Sequence, residues 1–106
     1  MSFIINKSNI NEFIELLNKN NFIIFYYLNN CIHSMQLKFI WDYLIKNFEM
    51  NGYIAEIEYN DVKYLPDIYK IMAFPAIISY KNGVAVDEFL SKRNKKNLSE
   101  FLNKNK

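Results

Sequence analysis

The chain has 106 residues, 51% of them apolar and 17% aromatic, with a formal net charge of +2. A chain of this size and composition is expected to form one domain, 1–106, around one core, and is too apolar for a disordered segment. With acidic and basic residues interspersed and the total so near neutral, there is no basis for a nucleic-acid partner.

The opening "MSFIINKSN" holds too short an apolar run for a signal peptide, and no segment approaches membrane-spanning length. Cys31 is the single cysteine, so no internal disulfide can form. Both features lead to the expectation of a reducing, cytoplasmic setting without a membrane partner. The basic stretch "SKRNKKN" (91–97) and the tail "NKNK" read as a solvated C-terminal face.

In chain order, "SFIIN" fits a short first strand. Asn9 with Glu12 three positions on has capping-box spacing, and Ile10, Phe13, Ile14 and Leu17 follow at helical spacing. "NFIIFYYL" (21–28) is a β-branched and aromatic run that predicts a strand buried on both faces. From Cys31 or Ile32 to Phe48, the residues Met35, Phe39, Ile40, Leu44 and Phe48 predict a long helix, ended by Asn51-Gly52. "YIAEIEY" (53–59) reads as a third strand. A short helix around 62–71 carries Leu65, Ile68 and Ile71, with Pro66 tolerable only in its first turn.

"PAIISY" (75–80) and "VAVDEFL" (84–90) predict two strands joined as a hairpin through Asn82-Gly83. A last helix over about 94–105 is capped by Asn94 and buries Leu98, Phe101 and Leu102. The order βαβαβαββα implies an α/β fold, a mixed central sheet with helices on both faces.

That order, with "IMAFPAIISYKNG" (71–83), "NLSEFLNK" (97–104) and the spacing from Cys31 to Pro75, resembles the thioredoxin family over effectively the whole chain. The resemblance implies a thioredoxin fold, a cis Phe74–Pro75 bond set against the cysteine, and a substrate groove. The departures are concentrated at the redox centre. Where the family has Cys-Gly-Pro-Cys, this chain has Cys31-Ile32-His33-Ser34. The aromatic residue before the first cysteine is Asn30. The buried aspartate corresponds to Phe25, the lysine beside it to Glu56, the helix-kinking proline to Phe39, and a groove-lining glycine to Ser91. The scaffold is kept while the parts that serve a second thiol are gone.

Cys31 at a helix start meets unpaired backbone N–H groups, which favour thiolate and can bring a thiol from about 8.5 to about 7 or lower. The alternative is an inert, buried small residue. His33 is read either as a second stabiliser of the thiolate or as a solvent-facing helix residue. With no second His or Cys to share an ion, metal ligation is not expected. Ser34 is read either as a hydrogen-bond donor to the sulfur or as an ordinary early-helix residue. Either way, it cannot expel a mixed disulfide, because exchange needs a thiolate.

Pro75 is read as the groove proline or as a strand-initiating one. On the first reading the Phe74 backbone pairs with an extended substrate, and Asn30, Ile32, Phe74, Pro75 and Ser91 line the docking surface. The aromatics Phe22, Phe25, Tyr26, Phe39, Trp41 and Phe48 are assigned to the core. Asp42, Glu56, Glu58, Asp61, Asp67, Asp87 and Glu88 form no pair spaced for acid–base catalysis. Glu56 alone stands out, because a charge beneath the site would raise the cysteine's pKa.

Two functions compete. One is a monothiol protein that forms mixed disulfides with protein thiols, with no resident cofactor and glutathione as co-substrate. The other is a redox-inactive interaction domain that keeps the groove. A monomer is expected, with a disulfide-linked homodimer as a third, weaker reading.

Overall fold

The computed structural model describes residues 2–106. Five strands form one sheet in the order β1-β3-β2-β4-β5: β1 (Ser2–Ile4), β2 (Asn21–Tyr27), β3 (Tyr53–Glu58), β4 (Ala76–Lys81) and β5 (Val84–Glu88). β3 runs parallel to both β1 and β2, whereas β4 and β5 are antiparallel to their neighbours. Three helices pack on it: α1 (Ile10–Leu17), α2 (Ile32–Ile45) and α3 (Lys95–Lys104). This is the thioredoxin fold, α/β with a mixed five-stranded sheet.

β2 is the central strand, and its residues Phe22 to Tyr26 are all buried. The alternation of a strand sends Phe22, Ile24 and Tyr26 to one face and Ile23 and Phe25 to the other, so both faces need an apolar residue at every step. The first face is covered by Phe13 and Leu17 of α1 with Val62, Leu65 and Tyr69. The second is covered by Leu37 and Trp41 of α2 with Leu98, Phe101 and Leu102 of α3.

Asn82 and Gly83 turn the β4–β5 hairpin with positive φ at both residues, 50° and 83°, which matches the right-handed twist of the strands it joins. Asn94 caps α3, its Oδ1 accepting from the Asn97 N–H at 2.8 Å. Gly52, at φ 143°, leads into β3, where an added Cβ would collide with the Asn21 carbonyl oxygen.

Four expectations are corrected. Asn9 makes no cap on α1. Its side chain turns back to the preceding loop, accepting from Asn6 N–H at 2.8 Å and donating to the Ile4 carbonyl at 2.7 Å. The turn's own backbone groups thus hold the amide before the helix can use it. α2 stops at Ile45, so Phe48 packs on the core from irregular chain and Gly52 does not terminate the helix.

Phe39 is 74% exposed. The buried stripe of α2 is Ser34, Leu37 and Trp41, and at 3.6 residues per turn Phe39 falls on its opposite side. The helix expected over 62–71 is replaced by two 3-10 turns, Tyr59–Tyr64 and Asp67–Tyr69. Pro66 forces Leu65 into extended backbone at ψ 151°, which breaks any helix there, and Ile68 is 80% exposed instead of packed.

Candidate functional site

The site forms where β2 hands the chain to α2. Asn30 adopts left-handed backbone at φ 67°, a conformation asparagine tolerates, and this bend delivers Cys31 to the N-cap position of α2. The loop is fastened from β3. Glu58 accepts from the Asn29 N–H at 3.0 Å and from Asn60 N–H and Nδ2 at 2.9 and 3.0 Å. Burial alone pushes the Glu58 carboxyl up, but these donors outweigh it and hold the group below the usual carboxylate range.

Cys31 is partly exposed and unpaired. Its thiol is held below its ordinary value, chiefly by the Ser34 backbone N–H. Burial opposes that, and the His33 N–H, the Ser34 hydroxyl and the charge of Arg93 add to it. Ser34 is fully buried, and its Oγ accepts from the Leu28 N–H at 3.0 Å. With that lone pair engaged, the hydroxyl proton is the part left to face the sulfur. His33 reaches the sulfur through its backbone N–H, while its exposed imidazole forms part of a groove wall.

That groove is open, about 670 Å³ in volume, and brings together His33, Pro75, Glu88, Ser91, Lys92 and Arg93. The Phe74–Pro75 peptide bond is cis, and the Phe74 ring stands edge-on to Tyr59 with centroids 5.3 Å apart. Asn30 and Ser91 are exposed, and Ile32 is 68% exposed. Leu90 on the groove wall, 82% exposed, and Met72 two residues before Phe74, 98% exposed, add apolar surface that sequence reading did not single out.

Lys92 and Arg93 are exposed, as the expected solvated C-terminal face requires, but they also line this groove, which sequence reading did not reveal. The signal lay in their adjacency to Ser91. Among the described residues, no group of three or more His, Cys, Asp and Glu side chains comes together to hold a metal. No helix there is long and apolar enough to cross a membrane.

Beneath α2, Phe25 is buried against Trp41, with ring centroids 5.1 Å apart. Its register partner on β3 is Glu56. This carboxylate is buried, but both oxygens are engaged. Lys38 Nζ lies 3.3 Å from Oε1, and Trp41 Nε1 donates to Oε2 at 3.2 Å. Lys38 also pairs with Asp42 at 3.1 Å, so one cation serves two carboxylates, and Glu56 is not among the groups that act on the Cys31 thiol.

Comparison with known proteins agrees with this architecture. The structure superposes on a thioredoxin mutant from Halobacterium salinarum with a TM-score of 0.72 at 12% identity, covering 98% of this chain and 89% of that one. It also superposes on Trxlp from Edwardsiella tarda, TM-score 0.76 at 13% identity, covering 96% and 98%. The thioredoxin of Fasciola hepatica gives a TM-score of 0.74 at 17% identity, covering 98% and 99%. No curated protein sequence matches the chain. The thioredoxin family model matches residues 2–104, and with nearly every residue accounted for, the chain belongs to the thioredoxin family.

Proposed function

We propose that the protein is a monothiol member of its family, with Cys31 as the exchanging nucleophile. The observation that carries this reading is a partly exposed sulfur at the start of α2, receiving the backbone N–H groups of Ser34 and His33. Those donors favour the thiolate, the form that attacks a disulfide. The thiolate breaks a protein or glutathione disulfide and forms Cys31–S–S–R. The displaced sulfur leaves as thiolate and takes up the proton that Cys31 released to solvent.

A second thiolate, from glutathione or the substrate itself, then attacks the mixed disulfide and returns Cys31. Ser34 supplies a hydrogen bond to the sulfur but no second thiolate, so the chain does not finish a dithiol reduction alone. His33 lends its N–H. Asn30, Ile32, Phe74, Pro75 and Ser91 form the docking surface, with the Phe74 backbone pairing an extended substrate. No resident cofactor is required, glutathione serves as co-substrate, and a monomer in a reducing cytoplasm suits the chemistry.

Incubation with glutathione disulfide at neutral pH should give one adduct by mass spectrometry, lost in Cys31→Ser. Absence of the adduct in the unmodified protein ends this reading. A redox-inactive interaction domain is favoured by one observation, the exposed apolar side chains of Leu90 on the groove wall, Ile32 next to Cys31 and Met72 two residues before Phe74. That reading requires partner capture to survive Cys31→Ser and to weaken when Phe74 or Pro75 is replaced.

A further inference from the structure

Lys92 and Arg93 line the same groove as His33 and Pro75, and both are exposed. Among the described residues neither takes part in an ion pair. Lys95 and Lys96 follow at once on the first turn of α3, which holds no acidic residue. Four cations therefore gather at the positive end of a helix dipole, where local stability favours carboxylates. Lys95 stands over the Tyr43 ring of α2, 4.1 Å from its centroid, which leaves Lys92, Arg93 and Lys96 without an ionic partner among the described residues, and the one carboxylate on the groove wall is Glu88. An anionic partner would complete it.

The same groove presents Leu90 as exposed apolar surface, Ile32 is exposed next to Cys31 in the chain, and no exposed aromatic ring lines the groove for a base to stack on. Glutathione carries carboxylates but no apolar side chain to cover Ile32 and Leu90. A peptide supplies both.

We propose that this groove selects acidic peptide segments: a partner whose cysteine is flanked by two or more Asp or Glu residues that pair with Lys92 and Arg93. The proposal rests on the reading of Cys31 as the exchanging thiol. Charge complementarity at an exposed rim raises the encounter rate and fixes orientation, and salt screens it.

The test uses three peptides that differ only beside their cysteine, carrying Asp-Glu, Ser-Gln or Lys-Arg, each joined by a disulfide to a coloured aromatic thiol. At low ionic strength the acidic peptide should react about five- to tenfold faster than the neutral one, with the advantage shrinking in high salt. Lys92→Gln with Arg93→Gln should bring the two rates together, and Lys92→Glu with Arg93→Glu should reverse their order. Taking the ratio to the neutral peptide removes the effect of Arg93 on the sulfur itself.

Acidic and neutral rates within a factor of about two, or a preference that survives the double Gln variant, overturn the proposal. So does glutathione joined to the same coloured thiol reacting as fast as the acidic peptide. If even the neutral peptide fails to react, the exchange chemistry falls, and binding of serine-for-cysteine peptides to the reduced protein judges the charge preference by itself. Tighter binding of the acidic peptide than of the neutral peptide and a single-stranded octanucleotide upholds it. Equal peptide affinities, or tighter nucleic-acid binding, refute it.

Discussion

The two faces of the sheet bury polar groups in different ways. On the α1 face, Tyr26, Tyr69 and Tyr80 form a neutral chain. Tyr26 Oη donates to the Tyr69 carbonyl at 3.0 Å, lies 2.6 Å from Tyr80 Oη, and Tyr69 Oη donates to the Gly83 carbonyl at 2.9 Å. On the α2 face the buried polar groups include an ion, Glu56, held by Lys38 and Trp41, beside the fully buried Ser34. A neutral hydroxyl chain is satisfied by hydrogen bonds alone, whereas a buried carboxylate also needs a counter-charge. The ion lies under α2, and Lys38 and Trp41 of that helix hold it in place. The α1 face carries no reactive group, and its polar chain serves only to pin the loops to β2 and β4.

The sharpest way to break this contrast is to remove the counter-charge. Lys38→Met should cost about 2–3 kcal/mol in urea unfolding, somewhat less than for a fully buried pair because Lys38 is partly exposed. Adding Glu56→Gln should recover most of the loss, since Gln keeps an acceptor for Trp41 and no longer carries a charge. A cost for Lys38→Met no larger than that of a hydroxyl deletion on the other face would make the two faces equivalent.

On the neutral face, Tyr26→Phe strips the Tyr69 carbonyl and the Tyr80 hydroxyl together and should cost about 2 kcal/mol. Tyr80→Phe leaves the Tyr26–Tyr69 bond intact and should cost about 1 kcal/mol. Burial, then the neighbouring Tyr80 and Tyr69, hold the Tyr26 phenol above its ordinary value of 10.0. The folded state thus keeps a proton that the unfolded chain gives up. That contribution is whole below about pH 10 and is lost as pH rises further. Alkaline unfolding curves should therefore be less steep in Tyr26→Phe, and an unchanged alkaline limb would show that the phenol does not govern it.

Much of the scaffold was legible because single residues specify it. The uniform apolar run of β2 fits only a strand covered on both sides, Asn82-Gly83 fits only a tight hairpin, and Asn94 offers the cap that α3 uses. α2 was harder. Trp41 is buried as expected, but the apolar residues lie on more than one side, so spacing alone did not show that Leu37 faces inward while Phe39 faces solvent. The site was legible where neighbours in sequence build it, at Cys31-Ile32-His33-Ser34. It was not legible where the fold joins distant segments: Arg93 to Cys31, Glu58 to Asn29, Lys38 to Glu56. Each of these is a long charged side chain, whose partner is set by reach in space and not by spacing along the chain.

Ser34 gives the finest test, because it belongs to both the fold and the site. Its Oγ accepts the Leu28 N–H at the end of β2 and its hydroxyl faces the sulfur. Ser34→Ala should cost about 1 kcal/mol, the penalty for leaving a partly buried donor unpaired. The thiol should respond weakly, since the larger downward pull comes from the Ser34 backbone N–H, which alanine retains. In alkylation rate against pH, the midpoint for Cys31 should rise only slightly, with its thiolate still favoured relative to an ordinary cysteine. A rise to the ordinary value would mean that the side chain, and not the start of the helix, controls the sulfur. An unchanged stability would mean that the Leu28 N–H finds water as readily as it finds Ser34.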